Sequence, residues 1–554
     1  MRRPSQLVVG GMVAWVTACS SVPQQVGTQP SWRKPVVEAK EPATVTFAPA
    51  SDPAPRYNEP FQSPPHTPLG DAVLASIASV AKDGRIPMPA ADARLFRACA
   101  ELAQIVPEEG VVGYSLVEFA LQRNGIIEPS PHLIVMWGDV DAPGPIVEKL
   151  KPRLAELLVD GETARVGIGA MKRNPDGTGA IVLALQGSGV TTQPIPRSVP
   201  SGGSFAIDAV VDIHYREPEV FVTRDDGTTE RLALELGRSG AFKSTVTCAA
   251  RRGKQQVEIS ASDAAGVTVL ANFPVYCGVE PPTTLTITPT HDDTGVVAPA
   301  EAAQRLLALA NHDRQAAGLP ALVWDDRVAK VAQGYSEEMK RTKVVAHVSP
   351  TTGSPADRVR VAGIRTAVVL ENVARAYGVG EAHQGLMNSP GHRANLMSVA
   401  ATHVGMAVVL GDDVSGRREL FVTQVFIRIP PKVDPGATAE VVRKRIESVR
   451  PVAVNARLAS VAQQLADGLS TGHTRDSLWP VARKQLDALG NQYARVSSVI
   501  TAVAELDALD GKQLVGDSRP DDIGIGIAQG THPEIGEGAI WIVILMAEKR
   551  DPKP

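Results

Sequence analysis

Apolar and polar positions recur along this chain with two different periods, and the changes of period divide it. Between about 70 and 190, helix-like and strand-like stretches take turns. Ala91 to Cys99 opens a helix with Asp92 as its cap, since an Asp side chain accepts from the first free backbone amides. Pro145–Leu158 predicts another helix. Val166–Gly169 and Ala180–Leu185 predict a strand pair about the Asp176-Gly177 turn. From about 195 to 285 the period shortens to two. Ala206–Val211, Glu219–Thr223, Glu230–Leu236, Ser244–Cys248, Gln256–Ser260 and Val267–Leu270 are short alternating runs, and Asp225-Asp226-Gly227 is a hairpin signal. This texture predicts an antiparallel β-sandwich, immunoglobulin-like in broad architecture. Helix and strand signals return over 297–430 and again over 437–550. Ala539–Ala547 there is a nine-residue apolar run that reads as a buried strand.

The three mixed blocks repeat one another weakly. Asp92-x-Arg94-Leu95 has counterparts in Asp325-Asp326-Arg327-Val328 and Asn455-Ala456-Arg457-Leu458, each at the head of a helix. A glycine-bearing strand follows each, beginning at Val166, Val404 and Ile523, and then a turn and a last apolar strand. Self-similarity of this kind predicts three copies of one α/β unit, with the sandwich inserted after the first.

The N-terminus reads as an address. Arg2 and Arg3 precede an apolar stretch from Leu7 to Val16, too short to span a bilayer, and Val16-Thr17-Ala18-Cys19 follows. A cysteine there resembles a bacterial lipobox, which implies that residues 1–19 are a lipoprotein signal and that Cys19 carries the lipid. The alternative is a plain signal peptide cut near Ala18. Ser20, where Asp would hold the protein at the inner membrane, favours the outer membrane or cell surface. Residues 20–69 hold eleven prolines and little periodicity, and predict an extended tether. The 554 residues suffice for three or four domains, and 44% apolar composition excludes disorder of the whole chain. Lys and Arg number 56 against 60 Asp and Glu, a net charge of -4, so no basic field exists to bind nucleic acid. Of four cysteines, Cys248 and Cys277 share the β-block of an exported chain and predict a disulfide, while Cys99 sits mid-helix as a core thiol.

Motifs narrow the chemistry. The chain has no His-Glu-x-x-His, no Gly-x-Ser-x-Gly elbow and no phosphate loop ending in Gly-Lys-Ser/Thr. The block over 297–430 carries an ordered set instead: an amphipathic helix from Ala300 to Ala317, His347-Val348-Ser349-Pro350, Leu370-Glu371-Asn372-Val373-Ala374, and Asn388-Ser389-Pro390-Gly391-His392-Arg393-x-Asn395-Leu396. This set resembles the CAP superfamily of cysteine-rich secretory proteins, antigen 5 and plant pathogenesis-related proteins, and is most similar to its bacterial SCP-like branch. The resemblance covers about a quarter of the chain. It implies an α-β-α sandwich with His347, Glu371 and His392 facing one cleft. It also implies that the blocks at 70–190 and 437–550 are degenerate CAP-like copies. A second glutamate completes the family's cleft, three residues after a tryptophan; here Leu386 and Ser389 hold those positions, and Glu381 is a candidate substitute. Leu370 stands where the family usually has glycine.

The residues support a physical reading as well. Ser389-Pro390 reads as a helix N-cap and first helical residue, which places His392 in the first turn. The positive end of the helix disfavours imidazolium there, so His392 is expected neutral. With His347 and Glu371 it would make a three-ligand site for weakly bound zinc; the alternative is a hydrogen-bonded cluster pinning helix to sheet. The leading functional expectation is a membrane-anchored surface or periplasmic lipoprotein whose CAP-like cleft binds a lipid, a cell-wall polymer or a protein. The alternatives are a metal-dependent hydrolase or peptidase using His347, His392 and Glu371, and a multi-domain scaffold.

Overall fold

The computed structural model describes residues 45–60, 63–108, 112–158, 162–248, 251–287, 298–414 and 417–550. The signal segment with Cys19 and the first half of the expected tether lie outside the described residues. The second half of the tether does not hang free. Val45–Phe47 pairs antiparallel with Leu285–Ile287, and Arg56–Tyr57 pairs with Ile195–Pro196. Prolines stop ladder bonding at their own positions only, so the short intervening runs can still add edge strands. Tyr57 is fully buried in the β-domain core, where its hydroxyl donates to Pro274 O at 2.7 Å.

Three four-stranded sheets share one topology. Their orders are Ala90–Ala91, Arg165–Lys172, Thr178–Gln186, His132–Asp139; then Val323–Trp324, His403–Val414, Arg417–Ile427, Val369–Ala376; and Ala453–Val454, Asp522–His532, Gly536–Lys549, Tyr493–Val503. In each, a two-residue edge strand runs parallel to its neighbour and the other pairings are antiparallel. In each, a helix follows the edge strand: Ala93–Ala103, Asp326–Thr342 and Ala456–Ser470. Asp92, Asp325 and Asn455 cap these helices by accepting from backbone amides two or three residues on. The helix lies directly on the neighbouring strand, at its glycine. A Cβ on Gly405 would land inside the Val328–Ala329 peptide, and one on Gly524 inside the Leu458–Ala459 peptide. Apolar side chains from both faces of each sheet then close the cores.

Residues 190–277 form a β-domain of two sheets around one core. One sheet runs Glu235–Leu236, Ala241–Thr247, Ser204–Val211, Val190–Thr192; the other runs Thr229–Arg231, Arg216–Thr223, Gly253–Asp263, Gly266–Cys277, Ser198–Val199. The expected single strand Glu230–Leu236 is two strands, one in each sheet, because the chain crosses between layers at Leu232–Leu234, which pack on the core. Cys248 and Cys277 are joined by a disulfide, with Cα atoms 5.5 Å apart. Cys99 is buried, and its thiol lies 3.4 Å from Gly167 O.

The larger sheet of this domain has two buried faces. Val257, Ile259 and Ala261 point into the sandwich core, and the alternate positions Gln256, Glu258 and Ser260 are buried too, although they are polar. That polar face is covered by the block at 297–430 and, beside it, by the first α/β unit.

Candidate functional site

Glu371 is presented by the strand Val369–Ala376, and the two oxygens of its carboxylate have different partners. Oε1 lies 3.0 Å from His347 Nδ1, and Oε2 accepts from Arg358 Nη2 at 2.5 Å. Further contacts hold Arg358. Its Nη1 donates to Gly353 O at 2.6 Å, its Nη2 reaches His347 O at 3.2 Å, and its guanidinium lies 3.4 Å from the Tyr335 ring centroid.

The neighbouring residue, Asn372, points to the other face of the strand. Its Nδ2 donates to His392 O and to Gln424 Oε1, both at 3.1 Å. Asn395 completes the tie, donating to Glu371 O and Asn372 Oδ1 at 3.0 Å each. The two asparagines therefore join the strand to the helix Pro390–Leu396, which carries His392 in its first turn. The His392 and His347 rings stack with centroids 6.2 Å apart and planes 26° apart. Burial pushes the His392 pKa down to about 3, and His347 adds to the effect. The neutrality expected from the helix end is present, but desolvation is its main cause.

Ser389 is the N-cap residue of that helix by backbone geometry, yet its hydroxyl makes no cap hydrogen bond. The hydroxyl sits 2.5 Å from His392 Nδ1 and bonds a carboxylate oxygen of Glu258 instead. Glu258 belongs to the β-domain strand Gly253–Asp263; its other oxygen accepts from Gly391 N at 3.0 Å. Only 1% of Glu258 is exposed. Desolvation raises its pKa to about 7, against the lowering effect of the Ser389 and Gly391 bonds. A hydroxyl has one proton to give. If Ser389 donates to an ionised Glu258, His392 Nδ1 carries a hydrogen and donates to Ser389; if Glu258 is protonated, both bonds reverse.

The β-domain touches the cleft at further points. The backbone amides of His347 and Val348 donate to Ala265 O at 3.1 and 2.8 Å. Asn272 Nδ2 reaches Asn388 O at 3.3 Å, and Arg393 Nε donates to Gly227 O at 3.1 Å. The first α/β unit approaches from another side. Tyr114 N donates to Glu381 Oε1 at 3.1 Å, while Glu381 Oε2 accepts from Tyr377 N at 3.2 Å. The Glu381 carboxylate thus caps two backbone amides. A small cavity lies at the junction of the three domains, lined by Tyr114, Glu118, Ser130, Val269, Asn272 and Ser389 among others.

The structure places His347 beside Glu371 and Ser389 beside His392, with the two imidazoles facing each other. The motifs pointed to neither Arg358 nor Glu258. Glu258 had one available signal: a carboxylate in the middle of a strand whose other polar neighbours, Gln256 and Ser260, define a face. The zinc site does not fit the side chains as they stand. Both Glu371 oxygens are engaged, and among the described residues no group of three or more His, Cys, Asp or Glu is arranged to hold a metal ion.

Residues 307–426 match the model of the cysteine-rich secretory protein family, CAP. The uncharacterized protein YkwD of Bacillus subtilis (strain 168) is 36% identical over 107 residues, which is 19% of this chain and 42% of that protein. The uncharacterized membrane protein YlbC of the same organism is 39% identical over 106 residues, 19% of this chain and 31% of that protein. The chain thus spans less than half the length of either relative. Among solved structures, an extracellular protein containing a SCP domain from Bacillus anthracis is 20% identical, over 49% of this chain and 91% of that one, with a TM-score of 0.21. A cysteine-rich secretory protein from Staphylococcus aureus is 14% identical, over 43% and 84%, with a TM-score of 0.20.

Proposed function

We propose that this CAP-domain protein works outside the cytoplasm, held to a bacterial envelope by a lipid on Cys19, and that its cleft binds a polypeptide carrying a carboxylate. Of the three ligand classes open to the sequence, one observation favours the polypeptide. The occupant of the cleft here is a protein hairpin that offers a carboxylate to Ser389 and Gly391 and a backbone carbonyl to His347 and Val348. These are hydrogen-bonding groups, which an acyl chain would leave unpaired at a cost. No helix among the described residues is long and apolar enough to cross a membrane. The flanking α/β units are in our reading degenerate CAP-like copies, and with the β-domain, which we take as immunoglobulin-like, they brace the cleft.

Binding fits the site better than hydrolysis. A metal-dependent mechanism would require Glu371 to leave His347 and Arg358. Calorimetric titration of the full chain with zinc is the check: heat that vanishes in His392→Ala would restore the hydrolase reading. Two experiments test the proposal itself. Cys19→Ser should move the protein from the membrane fraction to the soluble one. Purified full chain should retain immobilised polyglutamate over polylysine, and lose it on His392→Ala. Retention on phosphatidylglycerol vesicles without polyglutamate binding would replace the polypeptide by a lipid.

A further inference from the structure

The β-domain and the CAP cleft meet through polar groups. Gln256, Glu258, Ser260 and Asn272 are each less than 10% exposed and lie on the two long strands of the covering sheet, and the Asn272 amide reaches Asn388 O. An interface meant to be permanent is usually apolar, like a domain core cut in half. This one buries a carboxylate with which no Lys or Arg forms an ion pair among the described residues. It also buries the hydroxyl of Ser260, which has no hydrogen-bond partner among the described residues. All of these groups would be better solvated with the two domains apart, which is the composition of a contact that opens.

At its centre the contact is specific. Ser389 gives up the cap bond that its backbone position offers and turns its hydroxyl to Glu258. Gly391 N supplies the second oxygen with a donor, and a Cβ on Gly391 would lie 2.6 Å from Glu258 Oε1, so the absent side chain leaves room for the carboxylate. Behind Ser389 stands the imidazole of His392. A hydroxyl, an amide and a neutral imidazole in this arrangement suit a carboxylate that arrives from another chain segment.

We propose that Ser389, Gly391 and His392 form a carboxylate-binding subsite and that Glu258 is its resident ligand, so that an external polypeptide carboxylate enters by exchanging with the β-domain strand. The proposal rests on the binding reading above and deepens it: the protein carries its own competitor, and the open state is the one that binds. The β-domain is the moving part, carrying the hairpin Gly253–Cys277 with it, and Ala265 O leaves the amides of His347 and Val348 when it moves.

Amide hydrogen exchange on the full chain tests this, because the amides of His347, Val348 and Gly391 have their acceptors in the β-domain. Glu258→Ala should raise exchange at these three amides at least tenfold, while the sandwich core strands keep their protection. Sodium propionate should slow the exchange of Gly391 again in Glu258→Ala and leave the wild type unchanged; propionamide should not. Unchanged exchange in Glu258→Ala, or equal rescue by propionamide, would overturn the proposal. If the core strands also lose protection, the variant has unfolded, and a lock replaces it. Asn272→Cys with Asn388→Cys, oxidised, should abolish polyglutamate retention, and reduction should restore it; equal retention in both states overturns exchange. Loss of retention in every form, with the exchange results as expected, would sink the binding reading and leave the latch.

Discussion

The CAP unit and the C-terminal α/β unit share a scaffold and differ in what it carries. Both have a two-residue parallel edge strand, a capped helix after it, and a glycine that lets the helix press on the next strand. In the CAP unit that scaffold holds His347, Glu371, His392 and Arg358 against the β-domain. In the C-terminal unit, Gly511 stands thirteen residues before the strand glycine, where the CAP unit has His392. His473, the nearest counterpart of His347, is exposed. The comparison separates two kinds of requirement. Close packing of helix on sheet fixes the fold in both units, whereas the site depends on polar side chains that the fold does not need.

The sharpest way to break the comparison is at the shared glycines. Gly405→Ala and Gly524→Ala each push a methyl into backbone, which cannot rotate away as a side chain could. Each should cost on the order of 4 kcal/mol, beyond the usual overpacking range. Urea unfolding followed by hydrogen exchange within each unit would show it; a loss in one unit and not the other would mean that the scaffolds are not equivalent.

Next in size is a pH effect that belongs to the CAP side alone. Glu258 has a folded pKa of about 7 against 4.5 for an exposed glutamate. A carboxyl with a raised pKa contributes fully while protonated, below about 4.5, and that contribution is lost as pH rises through about 7. At 1.36 kcal/mol per pKa unit the loss is at most about 3 kcal/mol. The groups facing Glu258 are Ser389 and the Gly391 amide across the cleft, with His392 behind Ser389, Glu219 on its own sheet and Tyr114 of the first α/β unit. His392, with its pKa lowered to about 3, acts in the opposite sense, losing stability as pH falls below 6.5. Subtracting the pH profile of Glu258→Gln from that of the wild type cancels the His392 part. The difference should decline between pH 4.5 and 7, and a flat difference would mean that Glu258 is ionised throughout.

The smallest effect sharpens the likeness. Asp325→Ala and Asn455→Ala remove side chains that cap corresponding helices with two amide bonds each. Each should cost about 1 kcal/mol. Asp325 also pairs with Arg327, which in turn bonds Glu537, so a larger loss at Asp325, measured in the same urea experiment, would assign the excess to that pair.

Local patterns carried much of this structure in the sequence. The Asp92 cap and the Asp176-Gly177 turn depend on a few adjacent residues, and both stand where the pattern placed them. That His347, Glu371 and His392 would share one cleft came from the resemblance of their motifs to the CAP superfamily. Patterns failed where partners came from afar. The run Glu230–Leu236 reads as one strand because its alternation is continuous, yet two different sheets divide it. Ser389 was legible as a cap position, but where its hydroxyl turns was decided by a carboxylate 131 residues away in sequence.

By itself, then, the chain determined its periodicities and its caps and turns, because each arises from neighbours within a few positions, while the polar residues of the cleft were named through the family resemblance. Only the tertiary structure decided that the polar face of the strand Gly253–Asp263 would be buried, that Arg358 would hold Glu371, and that Glu258 would reach Ser389. Those outcomes follow from docking one folded surface on another, and alternation along a strand marks a polar face without saying whether water or another domain will cover it.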